Sequence, residues 1–362
     1  MTSRRSADAK DKKIPEATEG LDREGLAVAL GKLRPALRTG GTIPELAHMW
    51  FADGHATAYD GGLGIQLAFD VGVTCGAPGK ALLGLLGTSS LKQVALALEG
   101  PALVVKMGRS RTKLNVLEVD RSPWPFPDEH GKAAHLSEAA VEALRSVLIV
   151  RATPPTRLEH HGVAVYAAGA EIDFYATDSK TLVQVAIIDE KAKLPKFTFI
   201  PRPLAEQIVA LCPHGAELYV ADDHMAALGR GVELCSNVLD TTGLQDLPAL
   251  TKRFHKMHPE PVPLPTGLEA ALDRAEVLAG EGNDAVVNIA VRGKNFGVVG
   301  KLALGELKEE LTLEGVHPDA DITLDAAIMR RGLLVADAFS VAKGSFAFYG
   351  GDRFLYLVAS RG

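Results

Sequence analysis

Two glycine-rich segments are candidates for binding a nucleotide. The segment Gly76–Ala81 resembles the end of a phosphate-binding loop, which requires a glycine at the start of the motif and a Ser or Thr directly after its Gly-Lys pair. Those two positions hold Thr74 and Ala81 here. Gly62-Leu-Gly64 opens a predicted strand but lacks the third glycine of a dinucleotide fingerprint. Neither segment predicts a nucleotide site.

Metal ligation and nucleophilic catalysis have equally little support. Cys212-Pro-His214, His224 and Cys235 supply zinc-type ligands, but their spacing is irregular and contains no paired C-x₂-C motif. No Ser-His-Asp or paired-carboxylate arrangement stands out, because the acidic residues are scattered at turns, where Asp is favoured. The sequence therefore predicts no catalytic residue, no metal and no cofactor.

Composition limits the class of protein. With 362 residues, the chain is too long for one core. No apolar run approaches the ~18–20 residues that span a bilayer. The polar N-terminus is no secretory signal, and three widely spaced cysteines are typical of a reducing cytoplasm. A net charge of −6 argues against a protein that simply coats nucleic acid.

A repeated order of elements would position any functional residues. Three amphipathic stretches predict opening helices at Gly25–Leu37, Ser137–Ile149 and Gly267–Leu278. Each is followed by β-rich runs and a second apolar helix, predicted at Pro78–Leu86, Pro203–Leu211 and Leu324–Leu334. The second helices begin about 120 residues apart, and such a period indicates repeated structural units.

Proline-rich breaks separate these units. The prolines of Arg121–Gly131 can continue neither a helix nor a strand ladder, and His255–Pro265 is predicted to form an extended connector. The predicted domains are residues 22–126, 132–254 and 265–362, after a flexible tail at 1–21.

The β-rich runs predict antiparallel sheets. Short turns containing Asp and Gly connect many of them, and a parallel sheet would need a crossover helix between strands. We expect an α+β fold in which each domain packs two helices on antiparallel sheets. The predicted strands are Leu46–Trp50, His55–Tyr59, Gly64–Phe69, Gly162–Ala167, Ile172–Thr177, Thr181–Ile187, Ala285–Val291, Asn295–Val299 and Glu306–Leu313.

Several segments together resemble one family. Arg38-Thr-Gly-Gly-Thr-Ile-Pro-Glu-Leu-Ala, followed by strands and Tyr59-Asp60, is similar to the first domain of bacterial sliding clamps, the β processivity subunits of the replicative DNA polymerase. Ile172–Asp178, Phe199–Arg202 and Leu268–Leu278 resemble segments of the second and third domains. The resemblance runs in register from about residue 25 to the C-terminus.

This resemblance implies a ring and no catalysis. In the family, two three-domain chains close head to tail around duplex DNA, and such heterologous contacts form a ring only when the rotation closes. We therefore expect a cytoplasmic homodimer, in the host cytoplasm for a phage-encoded chain, that binds DNA without sequence preference. It would tether the polymerase and be loaded by a clamp loader. Two alternatives stay open: a metal- or nucleotide-dependent enzyme on a duplicated α+β scaffold, and a repeat interaction protein without the ring.

The resemblance also implies a DNA-facing set of basic residues on helices that line the ring. Arg38, Lys80 and Arg202 fall where the family places DNA contacts. Basic side chains on helices are more often simply solvated, and the third opening helix is largely acidic. The remaining candidates by position are Arg34, Arg145, Arg157, Arg274, Arg330 and Arg331.

The second implied site is a hydrophobic pocket that captures short peptides of polymerases and clamp loaders. An ordinary core role is the alternative for each residue, and is favoured for Leu182 and Val238. The turn Ser179-Lys180-Thr181 and the terminus Ala359–Gly362 depart from the family pattern, as expected of a diverged, phage-encoded clamp with a shallower pocket. The matching positions are Leu158, Thr177, Leu182, Val238, Leu250, Leu357, Val358, Ala359 and Ser360.

Overall fold

The computed structural model describes residues 20–127, 130–150, 158–178, 180–351 and 353–360. The described chain forms two compact units. Unit 1 contains the residues up to 127 together with 228–236, and unit 2 contains those of 130–227 and 237–360. In these ranges no helix has the length and apolar character needed to cross a membrane.

Helices and strands alternate along the chain much as the repeat predicts. The helices are α1 Arg23–Gly31, α2 Gly79–Thr88, α3 Glu138–Val147, α4 Arg202–Leu211, α5 Leu247–Met257, α6 Leu268–Ala279 and α7 Ala326–Leu333. The strands are β1 Leu21–Asp22, β2 His48–Ala52, β3 His55–Tyr59, β4 Leu63–Ala68, β5 Cys75–Pro78, β6 Gln93–Glu99, β7 Ala102–Met107, β8 Ser110–Asn115, β9 Ala133–Leu136, β10 Gly162–Ala168, β11 Glu171–Thr177, β12 Thr181–Ile188, β13 Phe197–Pro201, β14 Ala216–Val220, β15 His224–Gly229, β16 Val232–Asn237, β17 Val262–Pro263, β18 Val286–Leu302, β19 Gly305–Asp325, β20 Ala338–Ala342, β21 Ser345–Gly350 and β22 Phe354–Ala359.

Unit 1 packs α1 and α2 with antiparallel sheets in the orders β1-β6-β7-β8 and β5-β2-β3-β4-β16. Asp22 caps α1 by accepting a hydrogen bond from the Gly25 N–H at 2.7 Å. The predicted helix Gly25–Leu37 is too long at its end, because α1 stops at Gly31 and only a 3₁₀ turn follows. Pro35 lies in that turn, and its missing N–H could not continue an α-helix.

Unit 2 contains an eight-stranded antiparallel sheet in the order β13-β10-β11-β12-β22-β21-β20-β17. Strand β12 pairs with the C-terminal strand β22, with Leu182 opposite Leu357. Segments assigned to different predicted domains therefore share one sheet. Helices α3 and α4 pack together, as do α6 and α7, and β9 pairs with β14.

Strands β18 and β19 form a separate antiparallel pair in unit 2. Within β18 the chain turns back on itself, because Gly297 lies beside Ala290 and Gly300 beside Val286. The reversal is at Gly293, whose positive φ of 60° suits glycine. The strands predicted at Ala285–Val291 and Asn295–Val299 are thus the two arms of a hairpin within β18.

Helix α5 corrects the sequence prediction. The extended connector expected from His255 begins inside this helix, which ends only at Met257. The carboxylate of Asp246 caps α5 by accepting from the Ala249 N–H at 2.9 Å, and Pro248 occupies the first turn, where no N–H is needed. The middle region of the chain therefore has a third helix in addition to the predicted pair. The α+β class and the antiparallel pairing are confirmed.

Candidate functional site

A cleft of about 390 Å³ lies in unit 2, between the β11–β12 turn, α5 and the β21–β22 hairpin. It brings together segments that are far apart in sequence. Its lining consists of Glu159, His160, Thr177, Asp178, Lys180, Thr181, Leu182, Gln245, Leu250, Phe254, Gly344, Ser345, Leu357, Val358 and Ala359.

Hydrogen bonds fix the β11–β12 turn at the edge of this cleft. The buried Asp178 carboxylate accepts from the backbone N–H groups of Lys180 and Thr181, each at 2.7 Å. The Thr177 hydroxyl donates to the Thr181 carbonyl at 2.6 Å. The Asp178 carboxylate is therefore already satisfied by hydrogen bonds within the fold.

The apolar wall of the cleft is the exposed side of a core cluster. Leu182 and Leu357 are buried and pair across β12 and β22, while Leu250 and Phe254 are half-buried on α5 and pack against the same cluster. Leu182 is thus both a core residue and a lining residue. Leu158 packs against this cluster as well.

Six of the nine residues predicted for the pocket line one cleft: Thr177, Leu182, Leu250, Leu357, Val358 and Ala359. Val238 is half-buried outside the lining, and its N–H donates to the Asp223 carbonyl at 3.2 Å. Ser360 follows the lining residue Ala359, and its N–H bonds to Gly344 at 2.9 Å.

The sequence prediction missed the α5 residue Phe254 and the buried His160 and Ser345. A usable signal for α5 existed: the capping Asp246, a proline in the first turn, and apolar residues at Leu247, Leu250 and Phe254 with helical spacing. No local pattern pointed to His160 or Ser345, because only the tertiary fold brings the segments that contain them to α5.

A buried histidine links the end of α5 to the β20–β21 hairpin. His258 contacts the Ser340 hydroxyl through Nδ1 at 3.1 Å and the Ser345 hydroxyl through Nε2 at 2.8 Å. Since Ser340 donates its own proton to the Pro259 carbonyl, we assign Nδ1 as the donor to Ser340 and Nε2 as the acceptor from Ser345. Burial lowers the pKa of His258 to about 4, so the ring is neutral at physiological pH.

The basic candidates of unit 1 are exposed and unpaired. Arg34 lies in the turn after α1, Arg38 follows it, and Lys80 lies in the first turn of α2. None of the three side chains makes an ion pair or hydrogen bond with any residue that the structure describes. The charges of these three side chains are therefore accessible to solvent.

Arg202 and Arg145 in unit 2 are engaged within the fold. Arg202 is only 15 % exposed; its Nη2 donates to the carbonyls of Val150 at 2.8 Å and Leu148 at 3.3 Å, and its Nε donates to Glu206 at 2.8 Å. Arg145 is exposed and forms an ion pair with Glu142. The bonds of Arg202 to Leu148 and Val150 tie the start of α4 to the segment after α3, and Arg145 donates to the Val209 carbonyl of α4 at 3.5 Å.

Two arginines of the last repeat, Arg330 and Arg274, are also paired. Arg330 on α7 bonds to Glu276 at 2.8 Å and Asp273 at 2.9 Å on α6, and the hydrogen bond with Glu276 raises the pKa of Arg330. Arg274 pairs with Glu309 at 2.7 Å. Arg331 is half-buried and lines a second cavity of about 370 Å³. Arg157 lies outside the described residues.

All three cysteines are buried. Burial raises the pKa of Cys75 and of Cys212 to about 11, and it raises the pKa of Cys235 as well. Thiols with raised pKa values stay protonated at neutral pH and are weak nucleophiles.

This combination of antiparallel sheets and paired helices matches solved sliding clamps. The DNA polymerase sliding clamp from Bacillus subtilis superposes with a TM-score of 0.78 at 17% identity, covering 95% of this chain and 98% of that one. The sliding clamp of Pseudomonas aeruginosa bound to griselimycin gives 0.78 at 15%, with 95% and 98% covered. A putative DNA polymerase III β subunit from Eubacterium rectale gives 0.80 at 14%, with 95% and 99% covered.

The fold is therefore that of the bacterial DNA polymerase sliding clamps, as the sequence resemblance implied. No protein-family model and no curated protein sequence matches the chain. At these identities the likeness lies in the fold, so the function has to be argued from the residues of this chain.

Proposed function

We propose that the chain is a sliding clamp, which encircles duplex DNA and tethers a replicative polymerase through a peptide held in the unit 2 cleft. The observation that carries the proposal is the convergence of Thr177, Leu182, Leu250 and Leu357 on one cleft in a chain with the clamp fold. The proposed role is mechanical rather than catalytic, and we place it in the cytoplasm, or in the host cytoplasm for a phage-encoded chain.

The proposed ring is a head-to-tail homodimer of three-domain chains, with domains at residues 22–126, 132–254 and 265–362. Each chain offers surfaces suited to such contacts. Strand β8 is an edge strand in unit 1, and its unpaired backbone groups can accept another strand. Val277 on α6 and the nearby Leu304 in unit 2 are strongly exposed apolar residues that a partner chain would cover.

Duplex DNA is the proposed occupant of the ring. The best placed phosphate contacts are Arg34, Arg38 and Lys80, since these side chains make no ion pair or hydrogen bond with any described residue. Arg331 and the paired Arg145 are weaker candidates. A closed ring holds DNA topologically, so a few sequence-independent phosphate contacts suffice, and a net charge of −6 is tolerable.

The proposed cleft partners are short peptide segments of the polymerase and of the clamp loader. A few buried apolar anchors can provide most of the binding energy in such a site. The sliding clamp of Pseudomonas aeruginosa has been solved bound to griselimycin, so a clamp of this fold accepts a ligand. The same compound is a useful competitor for this chain.

The ring is tested by mass and by topology. Light scattering after size exclusion should give twice the 38.3 kDa chain mass. Protein placed on nicked circular DNA by a bacterial clamp loader should remain bound through gel filtration and be lost when the DNA is linearised. A stable monomer at micromolar concentration that never increases polymerase processivity would contradict the proposal.

The cleft is tested by a pair of substitutions on one helix. Phe254→Ala removes a lining side chain of α5 and should weaken polymerase binding at least tenfold, as the loss of a central aromatic contact does. Met257→Ala alters the same helix at an exposed position outside the lining and serves as the matched control. Equal binding by both variants would place the polymerase contact elsewhere.

A further inference from the structure

The outward face of α5 carries three basic residues, Lys252, Arg253 and Lys256, which together form a basic stripe. All three are exposed, and α5, which the structure describes in full, contains no acidic residue. None of their side chains makes an ion pair or hydrogen bond with a residue that the structure describes. The capping Asp246 precedes the helix, and its carboxylate already accepts from the Ala249 N–H. The charge of the stripe is therefore available to a partner.

Helix stability does not account for the basic stripe. A cation in the last turn, such as Lys256, is favoured by the helix dipole, but Lys252 and Arg253 lie in the middle of the helix. Lys252 and Lys256 are four residues apart, and like charges at that spacing repel each other on a helix surface. An anionic partner would offset this repulsion.

The basic stripe is continuous with the wall of the cleft. Leu250 and Phe254 line the cleft from α5. Arg253 lies three residues after Leu250, and Lys256 lies three residues after Arg253. Residues three apart on a helix are surface neighbours, with Cβ atoms about 5–6 Å apart. An extended peptide advances about 3.3 Å per residue, so about four residues beyond the cleft are enough to pass over the stripe.

The cleft itself disfavours an acidic residue. Leu182 and Leu357 supply its apolar wall, and Glu159 and Asp178, which are both buried, belong to the same lining. Like charges repel each other more strongly in a poorly solvated site than in water, so a carboxylate placed inside the cleft would weaken binding. The cleft therefore suits an apolar segment, and acidic residues of the same peptide are better placed outside it, over the basic stripe.

We propose that the basic stripe binds an acidic segment of the polymerase, adjacent to the apolar residues that occupy the cleft; the inference rests on the proposed peptide-binding function. Each contact is an exposed ion pair that salt screens, so the stripe adds only modest affinity. Its larger effect is on the rate of association, because charges at the rim of an interface steer the encounter. In a chain with a net charge of −6, this local positive surface directs an acidic partner to the cleft.

The test pans a phage-displayed library of random dodecapeptides on the full chain at low salt. The enriched peptides should combine apolar residues with two or more acidic residues, and each is resynthesised with Asn and Gln in place of Asp and Glu. Stopped-flow measurements should show that the acidic form associates with the natural chain about fivefold faster than the neutral form, since two exposed ion pairs of modest strength are involved. The difference should disappear at about 1 M salt.

Paired variants locate the effect on α5. Arg253→Gln with Lys256→Gln should abolish the preference for the acidic form, and Arg253→Glu with Lys256→Glu should reverse it in favour of a lysine-substituted peptide. The matched control, Lys191→Gln with Lys193→Gln, removes two exposed cations of unit 2 that lie outside the cleft lining and have no bonded partner among the described residues. It should keep the preference. Unchanged binding of the neutral peptide shows that each variant is folded.

The outcomes separate this inference from the function on which it rests. Enriched cleft peptides without acidic residues, equal association rates of the two forms, or a preference that persists in the Arg253→Gln, Lys256→Gln variant would overturn the role of the basic stripe alone. A loss of affinity for a short duplex in that variant, without any change for the acidic peptide, would assign the stripe to DNA and overturn it as well. Absence of any enriched peptide, or binding that Phe254→Ala leaves unchanged, would overturn the peptide-binding cleft and this inference with it.

Discussion

Basic residues at comparable points of the repeat differ between the two units in whether their side chains are bonded within the fold. In unit 1, Arg34, Arg38 and Lys80 are exposed and have no partner among the described residues. In unit 2, Arg202 is bonded to two carbonyls and to Glu206, and Arg330 is held by two acidic side chains of α6. The cations compared in unit 1 therefore have no partner among the described residues, whereas Arg202 and Arg330 of unit 2 hold neighbouring elements together.

The difference shows that a positive charge in the sequence is not the same as a positive charge available to DNA. The deciding factor is whether a carboxylate or a free carbonyl lies within hydrogen-bond reach, and that depends on neighbouring elements. In α6, the acidic Asp273 and Glu276 that made the third opening helix look unsuitable for DNA are the residues that bind Arg330.

The largest expected effect comes from removing the free cations of unit 1. The triple variant Arg34→Ala, Arg38→Ala, Lys80→Ala should weaken binding to a short labelled duplex about a thousandfold at low salt, since three charge-assisted contacts are lost. The slope of log affinity against log salt should fall by about 3 for each chain of the dimer whose cations contact the duplex. Anisotropy titrations at several salt concentrations measure both quantities.

The matched control removes two paired cations of unit 2 instead. Arg274→Ala with Arg330→Ala changes the net charge of each chain by two units but deletes residues already held by acids. Its affinity and salt slope should stay close to those of the natural chain. A loss as large as that of the triple variant would show that pairing does not decide which cations face DNA.

The next effect concerns His258, another basic group used inside unit 2. Burial lowers its pKa from 6.5 to about 4. Between these two pH values the unfolded chain therefore binds a proton that the folded chain does not bind. Its contribution to stability is complete above pH 6.5 and is lost as the pH falls toward 4, amounting to roughly 3 kcal/mol in total. The nearby His255 and His317 also lower the pKa of His258.

Denaturant unfolding of the natural chain and of His258→Gln at pH 7 and pH 4.5 measures this effect. The difference in unfolding free energy between the two proteins should shrink toward the lower pH, because glutamine does not titrate. A difference that stays constant across this range would mean that His258 is not held neutral in the fold.

A smaller effect is expected at Arg202. Arg202→Ala leaves the carbonyls of Leu148 and Val150 without their donor and should lower the free energy of unfolding by about 2 kcal/mol. Arg330→Ala is the comparison, because its ion pairs are largely solvent-exposed and should contribute less than about 1 kcal/mol. Equal losses in the two variants would remove the distinction between a packing arginine and a surface ion pair.

Much of the architecture followed from local patterns. Apolar residues at helical spacing located α3, α4 and α6 to within a few residues, and Asp53-Gly54 indicated the β2–β3 turn, where both residues have positive φ. The errors occurred where local rules competed. Pro35 shortened the first helix, and the prolines around α5 concealed a helix that a capping Asp246 had marked.

The sequence by itself determined the α+β class and the repeat, because hydrophobic periodicity and turn chemistry act over a few neighbouring positions. Its resemblance to sliding clamps supplied six of the fifteen residues that line the cleft. Only the tertiary structure decided that β12 and β22 share a sheet and that α5 completes the cleft. It also decided that Arg202 is hydrogen-bonded within the fold, while Arg38 has no partner among the described residues. Those outcomes depend on hydrogen bonds and packing between residues far apart in the chain, and no local pattern encodes such distances.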